Sequence, residues 1–164
     1  MTAAATPQGL AGLWFDDQRH HPGPLRAPVD EGNPFIQQAR RELSVYFARQ
    51  AGGARRPAFA GFTVPLDPQG TPFQKRVWQR LLHIRDGQCS HYGELARKLG
   101  SPEAARAVGA AVGRNPISII VPCHRVLGRD GSLTGYAGGL ARKSALLRLE
   151  GARMVADETG RAAA

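Results

Sequence analysis

Two adjacent residues, Cys123 and His124, carry the strongest chemical signal in the chain. They sit in the run Ile119-Ile120-Val121-Pro122-Cys123-His124-Arg125-Val126, where an apolar stretch ends at a proline and gives way to a thiol and an imidazole. The thiolate is the reactive form of cysteine, and a free thiol is mostly protonated at neutral pH, so a nucleophilic cysteine needs a base nearby. A neighbouring imidazole, directly or through a water chain, supplies one. Glu150, at the end of the last predicted helix, is placed to orient that imidazole as the third member of a relay. Pro122 lacks a backbone donor and fixes the chain at a strand end, which helps to point the next side chain outward. Three other readings stay open on these residues alone: an inert buried thiol, half of a metal site, and a hydrolase of the papain type. Metal is the weakest of them. Adjacent ligands chelate poorly, no Cys-x-x-Cys pair exists, and His20, His21, His83 and His91 show no ligand spacing. Cys89, the only other cysteine, has no activating neighbour.

The rest of the chain limits what this pair can do. With 164 residues, 42% hydrophobic and 21% charged, it can bury a core without disulfides, as one domain or two small ones. Every apolar segment is interrupted well short of a membrane span, and the first seven residues lack the features of a signal peptide, so no membrane partner is expected. Two cysteines make no disulfide framework, and the expected compartment is a reducing cytoplasm. The net charge of +9 is uneven: residues 1–70 hold 7 Lys and Arg against 6 Asp and Glu, whereas residues 71–164 hold 15 against 7. A basic back half suits contact with a polyanion, although an Arg-rich solvated surface accounts for the charge equally well.

Residues 1–70 read as a small mixed α/β domain. Leu10 to Phe15 is a predicted strand, and Arg19 to Gly32, with its prolines and glycines, a loop. Asn33-Pro34 offers an N-cap and a first-turn proline, and Phe35, Ala39, Leu43 and Phe47, with Ile36 and Tyr46, form a helical apolar stripe ending before Gly52-Gly53. Phe59 to Leu66 is a second predicted strand, and Asp67-Pro68-Gln69-Gly70 a boundary turn.

Residues 71–151 read as a mainly helical domain. Thr71-Pro72 starts a helix lined by Phe73, Val77, Trp78, Leu81 and Leu82. A short helix from Tyr92 to Leu99 is followed by Ser101-Pro102-Glu103, an N-cap hydroxyl with a first-turn proline and carboxylate, and then by a helix of very small side chains over Ala104–Val112. Two short helices across a tight Gly-containing turn are the helix-turn-helix pattern. Small side chains allow close approach to a DNA minor groove; they also suit a helix packed in a core. Ile117 to Val121 is a predicted strand, glycines punctuate 128–139, and a last helix runs from Leu140 to Glu150 with Leu140, Leu146, Leu147 and Leu149 available for burial. Residues 152–164 read as a frayed tail.

The run IIVPCHRV, with RAVGAAVGRNP before it and LTGYAGGLARKSALLRLEG after it, resembles the O6-alkylguanine-DNA alkyltransferase family, the methylated-DNA–protein-cysteine methyltransferases. The likeness is dense over about residues 62–151 and thinner over 9–61, where GLAGLWF and the helix from Asn33 carry it. It implies an α+β protein, with a small α/β domain followed by a winged-helix-like helix-turn-helix domain that holds the active cysteine. It also implies DNA repair on double-stranded DNA containing alkylated bases, by a monomer that acts once. The nucleotide is flipped out, and Cys123 takes the alkyl group from guanine O6, or from O4 of thymine, and keeps it. No metal and no diffusible cofactor are implied.

Carried over residue by residue, His124 deprotonates Cys123 through a water, Glu150 holds the imidazole and Asn115 fixes the cysteine loop. Tyr92 assists base rotation and gives a proton to the departing guanine. Arg106 fills the space left in the stack, with Ala105 and Gly109 on the same DNA-facing helix. Tyr136 covers the pocket, and the backbone amides of Val126 and Ala137 meet O6 as charge develops there.

Four departures from the family pattern bear on this. Ala137 replaces a serine found in some relatives, which removes a hydroxyl contact. His91 stands where Ser or Thr is common, which moves the expected N-cap to Ser90. The absence of cysteine from residues 1–88 argues against the N-terminal zinc of some relatives. The family's extended Ser-Pro-x-Gly segment has no counterpart ahead of Leu10, which implies either a domain without that edge strand or a start that falls short of it. The competing readings are a non-enzymatic alkyltransferase-like lesion binder, a class that lacks the cysteine, and a helix-turn-helix regulator, which the bland Ala/Gly helix disfavours.

Overall fold

The computed structural model describes residues 1–49 and 59–152. Its order is β1 (Thr2–Thr6), β2 (Gly9–Trp14), α1 (Pro34–Ala48), α2 (Pro72–Leu81), β3 (Ser90–His91), α3 (Tyr92–Lys98), α4 (Ala105–Gly113), β4 (Val126–Leu127) and α5 (Leu140–Glu150). The fold is α+β, and the described residues form five α-helices and two small two-stranded sheets. No helix among the described residues is long and apolar enough to cross a membrane.

β1 and β2 form an antiparallel hairpin, so a strand the sequence reading did not place does precede Leu10. Thr6 anchors the hairpin through a bond from its hydroxyl to Asp67 Oδ2, at 2.7 Å. Phe59–Leu66, read as a strand, joins the sheet at one residue only, the bridge from Leu66 to Leu10. The approach is close because residue 9 is glycine: a Cβ there would meet the Pro65 carbonyl oxygen at 2.5 Å.

α1 starts as predicted, with Asn33 Oδ1 accepting from the amides of Phe35 and Ile36. Its buried face is displaced from the expected stripe. Tyr46 is fully buried and Phe47 is 40% exposed, because the face in contact with the core runs through Ala39 and Tyr46, seven residues apart. The helix ends at Ala48, before Gly52-Gly53 as expected, and the tail beyond Ala152 lies outside the described residues. α2 carries a full capping box between Thr71 and Gln74 and buries Val77, Trp78 and Leu81; Leu82 and Leu140, at helix ends, stay exposed.

Three local expectations are corrected. The cap of α3 is His91, whose Nδ1 accepts from the Glu94 amide at 3.1 Å, while the Ser90 hydroxyl bonds the Glu94 carboxylate instead. Ser101 caps nothing with its side chain, since α4 is entered through a 3-10 turn over Pro102–Ala104. Ile117–Val121 is not a strand. Ile117 alone bridges to Leu13; the chain then turns, with the Val121 amide bonded back to the Ile117 carbonyl and Ile119 at φ +73°. A short buried apolar run has no periodicity that separates strand from turn.

The core is continuous across both halves of the chain. Leu10, Leu13 and Ala39 pack into one cluster with Val77, Trp78, Leu81, Leu95, Val108, Val112, Ile117 and Val121. The Trp78 indole also donates to the Ala111 carbonyl at 2.8 Å, which locks α2 against α4.

Candidate active site

The turn after Ile117 exists to bring Asn115 back over Cys123. The Asn115 amide donates to the Val121 carbonyl at 2.9 Å, the Ile117 carbonyl at 3.2 Å and the Cys123 sulfur at 3.0 Å, while its Oδ1 accepts from the Ile117 amide. One side chain thus fixes the loop and touches the thiol. Cys123 opens a short 3-10 turn over Cys123–Arg125 and is 5% exposed. Burial pushes its thiol above the ordinary value, opposed by the Asn115 bond and the field of Lys143. The resting thiol is therefore protonated, and attack requires a base.

His124 is fully buried. Its Nε2 lies 2.9 Å from Glu150 Oε1, and its Nδ1 makes no hydrogen bond among the described residues. Burial lowers the imidazole's proton affinity more than Glu150 raises it, so the ring is neutral at pH 7. An ionised Glu150 accepting at Nε2 fixes the tautomer and leaves the Nδ1 lone pair as the base. Burial works to raise the Glu150 carboxyl, but bonds from His124 and Arg125 overcome it and bring the pKa to about 2.

Several residues at this site are ones the sequence reading gave no role. Arg125 clasps Glu150 with Nε on Oε2 at 2.8 Å and Nη2 on Oε1 at 2.7 Å, and reaches the Ile84 carbonyl and Asp86. Tyr46, from α1, donates to Glu150 Oε1 at 2.8 Å. Arg49 pairs with Asp86 and lies 4.7 Å from the Tyr46 ring centre. Lys143 is fully buried, with its Nζ on the carbonyls of Val126 and Thr134, and burial lowers its pKa to about 8. A signal for Lys143 was present: it shares one face of α5 with Leu146, Leu147 and Glu150, an unusual place for a lysine. Nothing marked Tyr46.

A cleft of about 530 Å³ is lined by Tyr92, Gly109, Ala110, Gly113 and Arg114 together with Gly135, Tyr136 and Ala137, and Arg19 and His20 also line it. Tyr136 stands edge-on to His124, ring centres 6.4 Å apart. The Tyr92 hydroxyl reaches the Gly135 carbonyl at 3.5 Å, and Gly109 brings α4 against the Tyr92 ring. Ala105 lines a second cleft on the far side of Tyr92, with His91, Arg97 and Arg129. Arg106 is exposed on the first turn of α4 and lines neither. Among the expected pocket groups Val126 needs correction: its amide is taken by the Cys123 carbonyl at the end of the 3-10 turn, and its carbonyl by Lys143. The Ala137 carbonyl accepts from the Arg19 amide at 2.9 Å.

A thiol held by an amide, beside a neutral histidine and beneath a small-residue helix, defines a nucleophilic-cysteine site built into a helix-turn-helix scaffold. The family described as 6-O-methylguanine DNA methyltransferase, DNA binding domain, matches residues 72–152. The methylated-DNA–protein-cysteine methyltransferase of Shigella flexneri is 64% identical over 164 residues, covering 90% of this chain and 92% of that one. The protein of the same description from Mycobacterium tuberculosis is 45% identical over 159 residues, covering 97% and 90%. A crystal structure of Mycobacterium tuberculosis OGT in complex with DNA superposes with a TM-score of 0.78 at 44% identity, covering 91% of this chain and 84% of that one. The chain belongs to the methylated-DNA–protein-cysteine methyltransferase family.

Proposed function

We propose that Cys123 repairs double-stranded DNA by taking the alkyl group from O6 of an alkylated guanine, or from O4 of an alkylated thymine, once and irreversibly. The observation that carries this is the buried ring of His124, the residue after the thiol, with Nε2 committed to Glu150 and Nδ1 left free to act as the base. The flipped nucleotide enters the cleft under Tyr136. His124 takes the thiol proton through one water as the sulfur attacks the alkyl carbon. The carbon–oxygen bond breaks, a thioether forms, and Tyr92 gives the departing guanine a proton that restores the normal base. The Ala137 amide meets O6 as charge gathers there. Arg106, with Ala105 and Gly109 along the same helix, occupies the emptied stack.

The supporting features are the basic back half, the small-residue α4 and the family to which the chain belongs. The reading places a monomer in the cytoplasm, where Cys89 and Cys123 stay reduced. It divides the chain into residues 1–70, a buttress, and 71–151, which bears the chemistry. Incubation with a duplex oligonucleotide containing O6-methylguanine is expected to add one methyl mass to the peptide holding Cys123. Intact lesion after stoichiometric incubation would sink the reading, and would favour a lesion binder without transfer.

A further inference from the structure

One oxygen at the site receives donors from three distant stretches of chain. Glu150 Oε1 accepts from His124 Nε2 at 2.9 Å, Arg125 Nη2 at 2.7 Å and the Tyr46 hydroxyl at 2.8 Å. Tyr46 lies 104 residues from Glu150 in sequence and is fully buried. Its ring is fixed by edge contacts with Phe47 and Phe59, by Phe62, and by the Arg49 guanidinium. A phenol wedged in this way has little freedom to turn its hydroxyl elsewhere.

We propose that Tyr46 is a positioning residue of the relay, which tunes the basicity of His124 by holding part of the negative charge on Glu150 Oε1. This rests on the reading of Cys123 as the alkyl acceptor and His124 as its base. The physical reason is competition for one lone-pair region. A carboxylate oxygen that already accepts from a phenol and a guanidinium pulls less on the imidazole, so the imidazolium is less stabilised and the ring stays neutral to lower pH. The phenol's own proton is secure. Burial and the adjacent carboxylate both push the Tyr46 hydroxyl far above its ordinary titration range.

The other groups facing this relay are accounted for. Arg49 and Asp86 pair beside it, Arg125 is spent on Glu150 and Asp86, and Lys143 approaches from α5. Cys89 and Cys123 are neutral thiols at pH 7, and Tyr136 is a neutral phenol. Of these, Tyr46 is the one uncharged donor to Glu150 supplied by the N-terminal part of the chain. The N-terminal helix thereby contributes to proton transfer as well as to packing.

The test is the pH dependence of single-turnover methyl transfer from an O6-methylguanine duplex. It is paired with an NMR titration of the His124 ring nitrogens in the full chain. Tyr46→Phe is expected to move the acid limb and the His124 midpoint upward by about half a pH unit, roughly a threefold change in protonation ratio. Replacing Tyr46 with 3-fluorotyrosine, a stronger donor of nearly the same size, is expected to move both downward. The fluorinated protein keeps the hydroxyl, so it carries the measurement even where Tyr46→Phe disturbs folding. Unmoved midpoints in the fluorinated protein overturn the proposal, because a purely structural tyrosine changes stability without shifting the titration. Failure of the underlying reading looks different: the unmodified protein then transfers no methyl group at any pH, while the NMR midpoints still report on Tyr46.

Discussion

The two cysteines precede the paired strands of one small sheet and differ in almost everything that matters to a nucleophile. Cys89 precedes β3, Cys123 lies just before β4, and these strands pair in parallel with Ser90 opposite Val126. Burial raises both thiols, and both feel the field of Lys143. Among the described residues, only Cys123 of the two has an amide donor on its sulfur and a neutral imidazole as its chain neighbour. Desolvation alone makes a thiol inert. On the proposed reading, reactivity comes from one donor and one base, so Cys89 serves as an internal control for Cys123.

The sharpest way to break this contrast is to exchange the roles. Cys123→Ala is expected to abolish methyl transfer while retaining gel-shift affinity for duplex DNA, and Cys89→Ala is expected to leave the transferred methyl mass unchanged. Methyl removal by Cys123→Ala would end the assignment. Glu150→Gln comes next. It frees His124 from its fixed tautomer and leaves the buried Arg125 guanidinium without its carboxylate. The expected result is a fall in transfer rate of roughly 10²–10⁴-fold, as for loss of a general base, and about 3–5 kcal/mol of stability in urea unfolding.

Asn115→Ala removes the donor to the sulfur and two ties of the cysteine loop, at about 1–3 kcal/mol for each buried group left unpaired. Alkylation of Cys123 by a small iodoacetamide-type reagent, followed by mass spectrometry, is expected to slow, with Cys89 labelling unchanged. Equal slowing at both thiols would mean a global change instead. The smallest effect concerns acid. Glu150 has a folded pKa of about 2 against an ordinary 4.5, so its contribution is full above 4.5 and lost as pH falls toward 2. That loss is on the order of 3 kcal/mol, and it is expected to be missing from the urea midpoints of Glu150→Gln over the same range.

Much of this contrast was legible in the sequence, and what was hidden is instructive. Cys123, His124 and Glu150 stand out as an unusual residue pair with a carboxylate at the end of the last helix, Asn115 follows from the family resemblance, and the structure brings the four together. Tyr46 left no trace. A tyrosine on an amphipathic helix looks like any core aromatic, and only a contact over 104 residues gives it another part to play. The turn at Ile119 was misread for a related reason: an apolar run reports burial, and the left-handed backbone that reverses the chain has no side-chain signature there. Hairpin β1–β2 was half seen, since the centre of its first strand is three alanines, a residue depleted in strands.

The span of the Glu150 contacts also fixes an order of events during synthesis. Asn115, Cys123 and His124 emerge from the ribosome before α5, so for that interval the histidine lacks the carboxylate that sets its tautomer. The completed site needs the closure of long loops back to α1, the slow kind of contact in folding. On the proposed reading, a thiol that can be spent only once is thus left unarmed on the nascent chain and becomes competent when the last helix docks.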